Sequence, residues 1–297
     1  MHYYSISKEM VACYASPRDK WNLADLWQET FRDPPEYVDL FFRRVYKPDN
    51  ALIIRHKGFI VSALHIVPYK LKFYNKIEPV AYICGACTHP FERGKGLMKA
   101  LIDFTKKELI RRGFVCAIVI PAENRLFDFY RKLGFEHAIY HRVFYKFQND
   151  SYINQPENGN KYTFVECTVK YFNYFDSMLR NRDITILHDI YDFETILQEL
   201  RCCEGNSFVA LENDIPVGLV FIEKLPHKAI LVKELVAESR EVEKALYGYI
   251  FKRYDVDYLK IHASHLNYCT PTEQGLYCDF QQRFKFTYPL KISLMHD

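Results

Sequence analysis

The first regular apolar spacing lies in residues 21–31, where Leu23, Leu26, Trp27 and Phe31 recur on one side of a helix. Asp33-Pro34-Pro35 ends it, because proline lacks the amide and disfavours helix in the residue before it. Residues 36–46 read as a second amphipathic helix. Residues 51–55 and 59–73, either side of a turn at His56-Lys57-Gly58, read as a meander of antiparallel strands. After a turn at Asn75-Lys76, residues 82–87 form an apolar run with small residues, as a central strand would, and His89-Pro90 ends it. Leu97, Met98, Leu101, Ile102 and Phe104 then make a helical stripe that Gly113 stops. Residues 115–120 are continuously apolar, as expected of a strand buried on both faces. Residues 124–133 return to helix and 136–147 to strands. The first twenty residues, His2-Tyr3-Tyr4 among them, suggest at most a short strand.

Residues 148–161 are polar and carry Asn, Pro and Gly, the composition of a linker. Beyond them the pattern faintly repeats. Residues 208–211, a turn at Glu212-Asn213-Asp214 and residues 215–222 mirror the first meander, 230–236 the central strand, and 258–261 the run at 115–120. Lys244-Ala245-Leu246 falls where Lys99-Ala100-Leu101 does. An alignment of residues 276–281 with 125–130 sets Gln281 opposite Tyr130 and makes that stretch a helix. The expected architecture is therefore α/β (α+β): two tandem domains, each a mixed, mostly antiparallel sheet flanked by helices. Their bounds are 1–147 and 161–297, with a linker at 148–160.

A chain of 297 residues, 49% hydrophobic and 26% charged, suits two globular domains with sizeable cores. A net charge of +3 gives no ground for nucleic-acid or membrane binding. Lys106, Lys107, Arg111 and Arg112 crowd the end of a helix, where cations oppose its dipole, and no aromatic platform interleaves them. Nine cysteines at irregular spacing, with no signal peptide and no long apolar run, fit a reducing cytoplasm. Cys84-Gly-Ala-Cys87 spells a C-x-x-C, but on a regular strand its thiols would face opposite ways, so no metal is expected. Cys202, Cys203, Cys269 and Cys278 read as small apolar residues, expected to be buried.

The chemistry concentrates at Arg93-Gly94-Lys95-Gly96, between the central strand and the helix that follows. Glycines there let backbone approach an anion, and the first helical amides have no intrahelical acceptor. The helix dipole adds to this, so such a mouth holds phosphate. Arg93, Lys95 and Lys99 add positive charge, and Arg93 can grip phosphate bidentately. A bare R-G-K-G is also compatible with an ordinary turn among surface lysines. In the second half the matching bend, Ala237-Glu238-Ser239-Arg240-Glu241, has no glycine and two carboxylates.

Strand, Pro90, Arg93-Gly94-Lys95-Gly96-Leu97, long helix, strand, then Phe129-Tyr130-Arg131-Lys132-Leu133-Gly134-Phe135 resembles the Gcn5-related N-acetyltransferases (GNAT). Gly96-Leu97-Met98 is similar to their enhanced-intracellular-survival branch, whose chains carry tandem domains of this kind. The resemblance implies an acetyltransferase using acetyl-CoA as co-substrate. Its pyrophosphate would sit on Arg93, Gly94, Lys95, Gly96, Leu97 and Met98, and its pantetheine would pair with the strand edge at Ala86, Cys87 and Thr88. Tyr130 would be the general acid toward the departing thiolate. The family turn, Q/R-x-x-G-x-G/A, is matched only loosely, since Met98 takes the last position. By the carboxylate-bearing bend and by Gln281, which cannot act as an acid, the second domain would be catalytically silent. It would shape the acceptor pocket or a homo-oligomer interface.

The resemblance implies an amine acceptor, on a small molecule or on a peptide or protein, which the sequence does not identify. Glu29, Asp33, Glu36 and Asp39, in the helices that cover the acceptor site in the resembled family, would attract a cationic one; solvated helix faces explain them as well. His65, His89, Glu123, His137 or water could take the amine proton, and the residues do not choose among them. A role for a terminal carboxylate, here Asp297, does not carry over. Two other readings stay open: a non-catalytic acyl-CoA-binding regulator, and a tandem aminoacyl transferase of the peptide-bridge type. The phosphate-cradling turn argues against the second, which does not use CoA.

Overall fold

The computed structural model of the protein describes residues 4–7, 10–150, 161–263, 272–282 and 284. The chain runs β1 (Tyr4–Ser7), β2 (Met10–Tyr14), α1 (Lys20–Phe31), α2 (Pro35–Arg44), β3 (Ala51–His56), β4 (Phe59–Phe73), β5 (Lys76–Thr88), α3 (Leu97–Arg111), β6 (Cys116–Val119), α4 (Asn124–Arg131) and β7 (His137–Phe147). It continues through β8 (Thr163–Glu166), α5 (Phe172–Arg180), β9 (Ile184–Leu187), α6 (Ile190–Cys202), β10 (Asn206–Glu212), β11 (Ile215–Leu225), β12 (Ala229–Ala237), α7 (Arg240–Arg253), β13 (Tyr258–Ala263) and β14 (Thr272–Asp279). The described residues fall into two compact units. The first lies within Met1–Leu71, Ile77–Ile139 and Glu273–Thr287, the second within Lys72–Lys76 and Tyr140–Thr272.

In the first unit the strands run in the order β1-β2-β3-β4-β5-β6-β14. β1 to β4 pair antiparallel, β5 and β6 pair parallel, and β14 returns antiparallel on β6. The apolar run of β3 is explained by burial on both faces. Leu52 and Ile54 join Leu64, Ala81 and Ile83 under α3 and α4, while Ala51 and Ile53 face Leu23, Trp27, Phe41 and Phe42 of α1 and α2. Each of the Leu, Ile and Phe side chains taken wholly out of water contributes about 1.5–3 kcal/mol. The turn between β3 and β4 is a two-residue hairpin at Lys57 and Gly58, both at positive φ, with His56 opposite Phe59.

The second unit repeats this plan in the order β7-β13-β12-β11-β10-β8, with β12 and β13 parallel and the other pairs antiparallel. The turn expected at residues 212–214 is a hairpin with Asn213 and Asp214 in the left-handed region. α7 follows β12 where a helix is expected, but Ser239 caps it, accepting from the Val242 amide at 3.3 Å. No glycine stands at that mouth. β8, α5, β9 and α6 occupy a stretch for which the hydrophobic pattern suggests no element.

Two expectations are corrected. Residues 276–281 are not a helix: β14 covers Thr272–Asp279 and belongs to the first unit, not to a second domain running from 161 to 297. Leu276 and Cys278 point two residues apart into the first unit's core, which only a strand permits. The pairing of Gln281 with Tyr130 therefore fails, because Gln281 lies in the bend after a strand. Second, Cys84 and Cys87 do not face opposite sides; both pack against the cluster around Trp27 and Phe41. Gly85, at φ +56°, turns the backbone within β5 and adds a residue to the alternation. Cys202 and Cys203 are half-buried and Cys278 is buried, whereas Cys269, Asp297, His2, Tyr3 and residues 151–160 of the expected linker lie outside the described residues.

Candidate active site

The site starts where two parallel strands part. β5 and β6 are paired from Val80↔Cys116 to Ile83↔Val119, and β5 then runs on to Thr88 without a partner on β6. The departure coincides with Gly85. A Cβ on Gly85 would lie 2.2 Å from Cζ3 of Trp27, so the indole rests directly on the bare backbone. Trp27 is held there by a 2.7 Å bond from its Nε1 to Asp33 and by the rings of Phe31, Phe41 and Phe42. At the far end of β5, the buried Ser62 hydroxyl donates to the Cys87 carbonyl at 3.1 Å and meets the Thr88 hydroxyl at 2.8 Å. Ala86, Cys87 and Thr88 thus lie on a stretch of strand secured from the β4 side.

The turn leads directly into a helix. After a single helical turn at Pro90–Glu92, Gly94 (φ +77°) and Gly96 (φ +76°) carry the chain into α3. A Cβ at either glycine would meet nothing within 4 Å, so the space above the backbone is open. Gly96 is the N-cap, with no side-chain cap, and Leu97 and Met98 follow as the first helical residues. Leu97 is buried beneath the mouth. Arg93 Nε donates to the Thr88 carbonyl at 3.0 Å, which fastens the turn to the end of β5 and leaves the terminal nitrogens to point elsewhere. The charge is leaner than the residue types suggest. Lys95 pairs with Glu92 at 2.9 Å and Lys99 with Asp103 at 2.7 Å, and Glu92 also meets His56. Arg93 is the cation of the turn that no carboxylate neutralises among the described residues.

Tyr130 lies on α4 with its ring against Phe129 and Phe135, and it is 8% exposed. Burial, and then the thiols of Cys87 and Cys84 on β5, push its phenol up to about 12, so it holds its proton at any physiological pH. Ala86, on the stretch of β5 beyond β6, packs against the same core cluster as Tyr130.

The four side chains considered as bases do not assemble into one group. His65 is enclosed by Trp27, Phe41, Phe42 and Tyr46, with ring centroids 5.2–5.8 Å away, and its Nδ1 has no hydrogen-bond partner. Burial lowers it to about 3, so it stays neutral. Glu123 is ion-paired to Arg125 and His137 stacks on Tyr277 at 4.8 Å. His89, at the end of β5, lies 3.6 Å from Glu29 and beside the exposed Phe91. Of the acidic residues on and between the first two helices, Asp33 accepts from Trp27 and Asp39 lies 3.6 Å from Arg43. Ser62 and Gly85 were not among the residues singled out in the sequence. For Gly85 a signal exists, since an isolated glycine inside a strand marks a bulge or a close approach; for Ser62 there is none.

Residues 14–138 match the acetyltransferase (GNAT) domain model. No curated protein matches the sequence. Among solved structures, a probable N-acyltransferase from Enterococcus faecalis V583 superposes with a TM-score of 0.73 at 13% identity, over 92% of this chain and 73% of that one. Eis1 from Mycobacterium abscessus gives 0.67 at 13% identity, over 91% and 74%. A GCN5-related N-acetyltransferase from Anabaena variabilis ATCC 29413 gives 0.67 at 16%, over 91% and 73%. Residues 14–138 are thus similar to a GNAT acetyltransferase domain, and the chain has the fold of these solved structures. No helix among the described residues is long and apolar enough to cross a membrane, and no group of three or more His, Cys, Asp or Glu among them could hold a metal.

Proposed function

We propose that the chain is an acetyl-CoA-dependent N-acetyltransferase that works by direct transfer to an amine, a reading supported by the match of residues 14–138 to the acetyltransferase (GNAT) domain model. The observation that carries this reading is the parting of β5 from β6 after Ile83, beside an open glycine mouth and a buried, protonated phenol. The mouth of α3, with Gly94, Gly96 and the free end of Arg93, suits a pyrophosphate. Lys95, Leu97 and Met98 line the same turn. The edge at Ala86, Cys87 and Thr88, which β6 does not cover, offers backbone to an extended pantetheine, and an amide there can meet the charge that develops on the acyl oxygen. Tyr130 then gives its proton to the departing thiolate. The acceptor must arrive with its amine neutral.

Calorimetry with acetyl-CoA tests the cofactor site: Arg93→Ala and Gly96→Glu should each weaken binding at least tenfold, and unchanged affinity would end the assignment. Tyr130→Phe should lose turnover while keeping that affinity. A Tyr130→Phe variant that turns over as before would point to another acid, whereas an unmodified chain that binds acetyl-CoA and shows no turnover would favour the acyl-CoA-binding regulator. Release of free thiol from acetyl-CoA in the presence of a panel of primary amines identifies the acceptor.

A further inference from the structure

β14 brings a carboxylate onto the helix that carries Tyr130. The strand runs antiparallel to β6 from Leu276↔Val119 to Asp279↔Cys116, and the Phe280 amide then donates to the Val115 carbonyl at 3.0 Å. Gly275 makes the close approach feasible, since a Cβ there would lie 2.8 Å from the Val119 oxygen. Leu276 and Cys278 lock the strand into the core that also holds Phe127 and Tyr130. At its start, Glu273 accepts from Nη2 of Arg131 with both oxygens, at 2.8 and 2.6 Å. Arg131 ends α4, directly after Tyr130, and its guanidinium also lies 5.8 Å from the Phe127 ring centre and 3.5 Å from Asp128. The two partners of this clasp are 142 residues apart in the chain.

We infer that Glu273 is a positioning residue for proton delivery by Tyr130; the inference rests on the reading of Tyr130 as the acid. The Tyr130 hydroxyl has no hydrogen bond of its own among the described residues, so its direction is set by ring packing and by the orientation of α4. Glu273 holds the last turn of α4 through Arg131. Proton transfer depends steeply on geometry, and a misplacement of about 1 Å can cost about a hundredfold in rate. The clasp is about one-third exposed on each side, so it adds little to stability and its loss should leave the fold intact. The catalytic unit is then not complete in residues 1–147, because a later strand supplies part of its sheet and the group that steadies its acid.

The test follows thiol release from acetyl-CoA with n-butylamine, spermidine and a lysine-containing peptide, using the full chain. Glu273→Gln should lower kcat about tenfold, leave KM for acetyl-CoA within about twofold and leave the thermal midpoint unchanged. In a Tyr130→Phe background the same change should cost nothing further, because the group it steadies is gone. The exchange of Arg131→Glu with Glu273→Arg should recover most of kcat. If Glu273→Gln does not fold, Arg131→Lys gives the same readings. An unchanged kcat for Glu273→Gln alongside a loss for Tyr130→Phe overturns the inference and spares the acid. Equal losses from Glu273→Gln in both backgrounds also overturn it, as a general structural effect. Normal turnover by Tyr130→Phe, or none by the unmodified chain, sinks the proposed mechanism and this inference with it.

Discussion

Gly85→Ala puts a single methyl group where β5 leaves β6. Two costs follow from the coordinates. At φ +56° an L-residue with a Cβ is strained by about 1–2 kcal/mol. The methyl would also start 2.2, 2.7 and 2.9 Å from three carbons of the Trp27 ring. That ring cannot step aside: it is 5% exposed, bonded to Asp33 and wedged among Phe31, Phe41 and Phe42. Forcing a methyl into such a site costs about 1–3 kcal/mol more. Gly85→Ala should therefore destabilise the first unit by about 2–5 kcal/mol. The chain has two tryptophans, Trp21 and Trp27, both in α1, so selectively excited tryptophan emission during urea unfolding reports on this unit alone. In a Trp27→Leu background, followed by circular dichroism, the same change should cost about 1–3 kcal/mol less, since only the backbone strain remains. A loss below about 1 kcal/mol, or an equal loss in both backgrounds, would refute the claim that the indole rests on a glycine-only bulge.

Other outcomes are equally definite. His65 is held neutral, its value depressed to about 3 from 6.5, so an unfolded chain takes up its proton first. Its contribution is whole above pH 6.5 and drains as pH falls toward 3, reaching about 2 kcal/mol by pH 5; His65→Leu should lose correspondingly less stability between pH 7 and pH 5 in urea midpoints, and an identical slope would exclude His65 as the source. Glu234 is 1% exposed and is gripped by Arg182 at 2.8 and 3.2 Å, so Arg182→Leu should cost the second unit about 3–5 kcal/mol. Arg182→Leu with Glu234→Leu should recover much of that, and a double variant no better than the single one would contradict the buried-pair account. Gly96→Ala meets no neighbour but sits at φ +76°, so it should cost about 1–2 kcal/mol in stability and at least tenfold in acetyl-CoA affinity by calorimetry.

The elements of residues 21–147 are legible in the chain because each carries its own signal. Apolar spacing marks α1, α2 and α3, an unbroken apolar run marks β6, and proline or glycine marks their ends. The turn at residues 93–96 and the tyrosine before Gly134-Phe135 are equally local, and so is the repeat of strands from β10 to β13. What the chain could not decide alone are facts about neighbours distant in sequence. Residues 276–279 carry alternating side chains too few to separate strand from helix, and only the slot beside β6 makes them β14. Cys84 and Cys87 share one side because Gly85 adopts a left-handed turn under Trp27, a contact between α1 and β5. Lys95 and Lys99 look like free charge until Glu92 and Asp103 meet them. His65 looks like a base until four rings surround it. Periodicity is a property of adjacent residues, whereas register, ion pairing and desolvation are set by which surfaces tertiary packing brings together.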